Sequence, residues 1–391
     1  MMIDRDGHPK ILILTLSHGA AHRRASFALR RTLQAREPGA RVEVIDALEH
    51  CTRWFRAYYN SYELPLRFWP SLWNWIENIQ HQSQATGPGW LYRRGAEPLY
   101  RFIRAFDPDV VVATEVGIFE MAYMLKRRTP SRFRLVAVEL MDFNQAFVQP
   151  EVDLYLCSHE DLGAELAMAG APRERILCCG QPIDPAFASL PTREVAQMRL
   201  GVEPKIPLLL IMFGGTGFGK PQGLVDALRK VPHAWQAVFI TGRNARLEGE
   251  VRKVCDGLPR VRVLGWVENI PEWMVAADLM ISKPGGATLT EGFACGLPML
   301  AINPLPGNER RTCRWIEKWG AGHWIKRAGD LAPMVARLLA NREELDLLRQ
   351  KALSLARPRA AYDGADAILK LCRTQPRIDT DNNPHTSTKS G

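Results

Sequence analysis

Short continuous apolar runs alternate with amphipathic stretches along most of the chain. Residues 10–16 (KILILTL) carry no charge after Lys10, the pattern of a strand buried on both faces. Residues 23–36 place Ala25, Ala28, Leu29 and Leu33 at helical spacing with arginines between them, which predicts a helix with one apolar face. Further strands are predicted at 42–45, 110–113, 134–138 and 154–157. The pattern then restarts at 207–213 (PLLLIMF), a Gly-rich turn and a helix near 223–230. Strands are expected next at 237–241, 261–263, 279–281 and 298–302. Buried strands separated by helices argue for parallel sheets covered on both faces.

The expected fold class is therefore α/β, with two Rossmann-like doubly wound domains. The first spans 9–185 and the second 186–330, with a linker in the three-proline stretch 180–194. Helices follow at 331–372. The polar tail, 373–391, is expected to be disordered.

At 391 residues, with 46% hydrophobic and 24% charged positions, the chain is long enough to bury large cores. Wholly disordered, collagenous and disulfide-scaffold classes are excluded. The formal charge of +9 is uneven: residues 1–190 hold 22 basic and 22 acidic side chains, residues 191–391 hold 29 and 20. A basic rear half fits an anionic partner or a solvated basic surface. Of the 8 cysteines none forms a C-x-x-C pair, so buried free thiols in a reducing compartment are expected. No signal peptide or transmembrane helix is predicted, so membrane contact would be peripheral.

Residues 51–104 break the pattern. They contain 13 of the 33 aromatics, with seven arginines and three acidic residues. Trp54, Tyr58 and Tyr62 are four apart and share a helix face. Such a segment fits a membrane interface. It fits equally an aromatic cap over the sheet or a dimer face.

Three turns could carry chemistry. The first reads Ser17-His18-Gly19-Ala20-Ala21-His22, between a strand and a helix. Small residues there let amides approach an anion, and His22 could take a proton from a hydroxyl. A lone histidine at a helix start is more often a cap or a surface residue. The second, 213–221 (FGGTGFGKP), nearly matches a Walker A loop, but Pro221 stands where the Mg²⁺-holding hydroxyl belongs. A P-loop protein binding Mg-ATP through Lys220 remains an alternative. So does a glycine turn offering amides to a diphosphate. The third runs G-W-V-E-N-I-P (265–271), then D-L-M-I-S-K-P-G-G-A-T-L-T-E (278–291), then P-L-P-G-N-E (304–309). A strand ends in Lys-Pro-Gly-Gly and a helix starts near Thr288, leaving room for phosphates over the helix N-terminus. Glu291, one turn on, could accept from a ribose.

These motifs resemble the monogalactosyldiacylglycerol synthases and processive diacylglycerol glycosyltransferases. More distantly they resemble the N-acetylglucosaminyl transferase of peptidoglycan synthesis. The resemblance covers about 10–325, including D-x-Y-x-C-S at 153–158 and G-Q-P-I-D-P-A-F at 180–187. It implies a GT-B fold and an inverting hexosyltransferase without a cofactor. The donor would be a UDP-sugar and the acceptor a lipid, diacylglycerol first. The protein would be peripheral on an anionic membrane surface at the cytoplasmic face, without nucleic acid. It further implies His22 as base or cleft lining and Asp142 in the acceptor-side loop. The implied donor set is Gly214, Gly215, Thr216, Gly217, Gly242, Arg243, Val267, Lys283, Gly285, Gly286, Thr288, Glu291, Asn308 and Glu309, with no metal ligand. Val267 backbone would read uracil, Glu291 ribose, and Asn308 and Glu309 the sugar.

The chain departs from the family pattern at Ala21, for glycine, at Asn308, for glutamine, and in loop 139–149. A UDP-sugar epimerase or hydrolase on the same scaffold, a non-catalytic nucleotide-binding module, and a polyprenyl-linked acceptor are the alternatives.

Overall fold

The computed structural model describes residues 8–16, 20–61, 83, 88–128, 133–141, 143–213, 221–305 and 307–373. Two six-stranded sheets hold it together. The front sheet comprises β1 (Lys10–Thr15), β2 (Arg41–Asp46), β3 (Val110–Ala113), β4 (Arg134–Glu139), β5 (Leu154–Cys157) and β6 (Ile176–Leu177), in the order β2-β1-β3-β4-β5-β6. The rear sheet comprises β7 (Leu208–Met212), β8 (Gln236–Ile240), β9 (Val261–Leu264), β10 (Leu279–Ser282), β11 (Met299–Ala301) and β12 (Gly322–Trp324), in the order β12-β11-β10-β7-β8-β9. Each pairing of neighbouring strands is parallel. The α/β class and the doubly wound topology agree with the sequence pattern. β6 and β12, two and three residues long, are too short to show a period.

Alternation along the strands sorts side chains into two layers per sheet. Leu12, Leu14, Val111 and Ala113 face Phe119 and Tyr100, whereas Ile11, Ile13, Val110 and Val112 face Leu29 and Leu33 of the helix Ala20–Arg36. Each fully buried aliphatic side chain contributes about 1.5–3 kcal/mol by leaving water. The helix Ala360–Arg373 crosses back from the rear lobe and adds Ile368 and Leu369 to that front layer. It is clamped by Arg36 Nε at 3.1 Å from Asp366. The helices Leu331–Ala340 and Arg342–Ser354 instead cover the rear sheet, through Val335, Leu338, Leu345 and Leu348.

Strand order reverses between β1 and β3 in front, and between β7 and β10 behind. At such switch points the loops leaving the carboxyl ends splay apart and open a crevice. The helix Asn308–Trp319 makes three interlobe contacts. Arg311 meets Glu165 at 2.7 Å, Lys318 meets Asp161 at 2.8 Å, and the His159 ring lies against Trp315 and Trp319.

The aromatic segment divides into two populations. Phe55, Tyr92 and Tyr100 are core residues, while Trp54, Tyr58 and Trp90 are exposed. Trp90 lines an open depression with Arg93, Arg94, Glu97 and Arg128. Tyr62, Phe68, Trp69, Trp73 and Trp75 lie outside the described residues, as does the tail beyond Arg373. No helix among the described residues is long and apolar enough to cross a membrane.

Candidate active site

At the front switch point a hydrogen bond joins the helix that follows β1 to the segment that follows β3. His22, in the first turn of the helix Ala20–Arg36, bonds through Nδ1 to the Thr114 carbonyl just past β3. A carbonyl only accepts, so Nδ1 carries the proton and Nε2 presents its lone pair. Ser26 Oγ donates back to the His22 carbonyl at 2.9 Å, and Thr114 Oγ1 donates to the Leu14 carbonyl at 3.3 Å. The imidazole tautomer is thus fixed by the Thr114 carbonyl, and Thr114 is in turn tied through its hydroxyl to Leu14 of β1. Sequence proximity did not reveal this, because Thr114 is distant along the chain.

Among the described residues, the rear crevice is built from loops following β8, β9, β10 and β11. The loop after β10 gives the helix Gly286–Ala294. Its N-cap is Gly285, with no side-chain cap and no acidic residue in the first turn. Its leading amides are therefore unspent on side chains and present a partial positive charge. A Cβ on Gly285 would meet no described atom within 4 Å, so the space above is open. A Cβ on Gly286 would lie 2.5 Å from Met141 Cγ and 2.9 Å from Gln181 Oε1. Glycine is needed there because the front lobe comes that close.

Lys283 Nζ lies 2.8 Å from Glu309 Oε1, and Glu309 Oε2 accepts from the Leu305 amide at 2.7 Å. These two residues and the helix start at Asn308 form one wall. Gly242, at φ 65°, turns the chain after β8 so that the Arg243 guanidinium stacks 4.4 Å from the Trp266 ring. Val267 follows Trp266 and packs partly buried on the rear core. Thr288 is buried in the first turn of its helix. The loops after β8, β9, β10 and β11 therefore gather at one sheet edge. Asp142, Gly214, Gly215, Thr216, Gly217 and Lys220 lie outside the described residues.

Glu291 is only 2% exposed, and its Oε1 pairs with Arg24 Nη2 at 2.7 Å. Burial pushes its carboxyl up to about 7, against the opposing pull of Arg24. A surface reading of Glu291 is thereby removed. Two residues with a place in this cleft were not singled out from sequence. Arg24 looked like one arginine among several on a polar helix face. Gln181, inside the G-Q-P-I-D-P-A-F segment, is buried beside Gly286 with neither side-chain polar atom hydrogen-bonded.

Similarity to known proteins follows the same division. A family model described as monogalactosyldiacylglycerol (MGDG) synthase matches residues 22–183, and one described as glycosyl transferases group 1 matches 209–341. The processive diacylglycerol beta-glucosyltransferase of Bacillus cereus (strain 03BB102) is 26% identical over 383 residues, covering 94% of this chain and 95% of that protein. The chain is a glycosyltransferase, similar over residues 22–183 to the monogalactosyldiacylglycerol synthases and over most of its length to the processive diacylglycerol glucosyltransferases. Acinetobacter baumannii MurG superposes on this glycosyltransferase with a TM-score of 0.64 at 15% identity, over 93% of this chain and 99% of MurG. Anabaena HepE in complex with UDP-glucose gives 0.54 at 16% identity, over 93% and 100%. Both establish the GT-B fold of the glycosyltransferase. Between its two lobes, Arg24 of the front lobe meets Glu291 of the rear lobe.

Proposed function

We propose that this glycosyltransferase moves a hexose from a UDP-sugar to a lipid hydroxyl, diacylglycerol in first place, with inversion at the anomeric carbon. The observation that carries the reading is the anchored His22 tautomer, on a helix whose next turn pairs with Glu291 of the opposite wall. His22 Nε2 takes the acceptor hydroxyl proton, and the oxygen attacks the anomeric carbon from the face opposite the leaving group. The bond to the diphosphate breaks, and UDP departs with the electron pair. The amides opening Gly286–Ala294 and the ammonium of Lys283 face the charge that develops on it. Glu291 accepts from the ribose, Val267 main chain meets the base, and Asn308 with Glu309 face the sugar. Gly242 with Arg243 and the glycine turn 214–217 flank the nucleotide, while Asp142 belongs to the acceptor side. Exposed Trp54, Tyr58 and Trp90 with their arginines seat the front lobe on an anionic bilayer at its cytoplasmic face. The relatives named for diacylglycerol transfer support this choice of acceptor.

The test is transfer from UDP-glucose, UDP-galactose and UDP-glucuronate to diacylglycerol in mixed micelles, with a polyprenyl-linked acceptor in parallel. A hexosyl diacylglycerol of inverted anomeric configuration is expected. Folded protein that transfers no sugar to either lipid defeats the lipid assignment. Sugar-nucleotide turnover without any acceptor assigns the scaffold to epimerisation or hydrolysis instead.

A further inference from the structure

The buried carboxylate of Glu291, on the rear lobe, is paired from the front lobe. Glu291 Oε1 lies 2.7 Å from Arg24 Nη2, while Oε2 is buried without a hydrogen-bond partner. Arg24 comes from the opposite lobe, two residues after His22. A buried carboxylate with one oxygen held and the other unmet is ready for a hydroxyl donor. An ionised carboxylate accepts about twice as strongly as a neutral one.

We propose that Arg24 is a positioning residue for the donor: from the acceptor lobe it orients Glu291 and favours its ionised form against the effect of burial, leaving Oε2 for ribose hydroxyls, so the nucleotide site is complete only while the lobes touch. This rests on the reading of a UDP-sugar as donor.

The surroundings leave Arg24 as the group that can do this. Asp184, ahead of the short turn Pro185–Ala188, acts on Glu291 with the same sign of charge and is itself paired with Arg31 at 2.5 Å. Cys295, ending Glu291's own helix, is a half-buried thiol that desolvation pushes above the usual range. The helices Ile270–Ala276 and Arg342–Ser354 also pack against Gly286–Ala294. Their ion pairs run elsewhere: Glu272 to Arg199, Glu344 to Arg337, and Arg342 and Arg349 to Asp278. Removing Arg24 therefore leaves Glu291 buried beside one acid, a setting that favours its neutral form.

The experiment is calorimetric binding of UDP-glucose, whose phosphates do not titrate near neutrality, from about pH 6 to about pH 9. It compares the full-length wild type, Arg24→Gln, Arg24→Lys and Glu291→Gln, with circular dichroism confirming the fold of each. Wild-type affinity is expected to rise with pH through about 7, the carboxyl's own value. Arg24→Gln should bind on the order of tenfold more weakly near neutrality and shift that midpoint upward by about one unit. Arg24→Lys, keeping the charge, should restore the wild-type midpoint. Glu291→Gln should bind weakly without a pH midpoint. An Arg24→Gln profile that matches wild type, or is weaker by the same factor at every pH, overturns the proposal. A Glu291→Gln variant with the wild-type profile overturns it equally. Wild-type protein that fails to bind UDP-glucose overturns the donor reading and this inference with it.

Discussion

Arg24 Nη2 stands 2.7 Å from Glu291 Oε1 across the interlobe cleft, and this pair binds the histidine-bearing helix to the helix that opens with Gly286. The salt bridge is half exposed on the arginine side and closed on the glutamate side. Its charge is therefore screened little where it matters, at the carboxylate. His22 and the loop after β10 belong to one cleft because of it.

Replacing His22 with alanine removes the base but none of the donor wall. Turnover is expected to fall by about 10²–10⁴-fold, with UDP affinity unchanged. Steady-state transfer assays and UDP calorimetry on the same preparation check this. Full activity in His22→Ala would remove the imidazole from the mechanism.

Glu291 makes stability depend on pH in a stated direction. Its carboxyl sits at about 7 in the folded protein, against an ordinary 4.5. The protonated form suits the buried site. Stability from this group is complete below about pH 4.5 and is lost as pH rises through about 7. Glu291→Gln should thus gain on wild type across that window, by about 2–3 kcal/mol at mildly alkaline pH. Urea unfolding curves measured along the window should diverge; parallel curves would contradict the burial argument.

His159 acts with the opposite pH sense. Its Nδ1 accepts from the Leu162 amide at 3.1 Å, and its ring centroid lies 5.0 Å from Trp315 and 4.9 Å from Trp319. Burial pushes the imidazole down to about 4 from 6.5, so the neutral ring is the one the interface holds. Its contribution is present above about pH 6.5 and lost as pH falls through about 4. His159→Asn keeps a capping acceptor but cannot titrate. We expect it to be less stable at neutral pH yet to lose less on acidification, read from melting temperatures along an acid series.

Gly286 sets how closely the lobes meet. A valine there would bring Cβ within 2.5 Å of Met141 Cγ, a separation real side chains do not tolerate. Gly286→Val should weaken UDP-glucose binding by at least about tenfold, through a displaced helix start, while far-ultraviolet circular dichroism stays unchanged. Undiminished binding would mean the lobes need not approach at this point.

Trp54 and Trp90 are exposed at 47% and 56% and are free to enter a lipid interface. Replacing both with alanine should leave stability within about 0.5 kcal/mol and reduce flotation with anionic liposomes by about tenfold or more. Arg93 and Arg94 should add a salt-sensitive component of about 1 kcal/mol each. Flotation unchanged by either pair of substitutions would place membrane contact elsewhere.

Local periodicity carried most of the framework. β3 and β5 occupy the expected residues 110–113 and 154–157, because an uninterrupted apolar run between turn signals has few other uses. The Lys-Pro-Gly-Gly run ending β10 placed the next helix start near Thr288, and the helix begins two residues earlier at Gly286. What the chain could not display locally is which residues meet across the cleft. The carbonyl of Thr114 fixes the His22 tautomer, Arg24 pairs with Glu291, Gln181 lies beside Gly286, and the helix Ala360–Arg373 returns to the front sheet. None of these pairings leaves a period or a spacing in the sequence. Each exists because two sheets, wound separately, are packed so that the carboxyl ends of their strands face one another, and only the tertiary structure decides that.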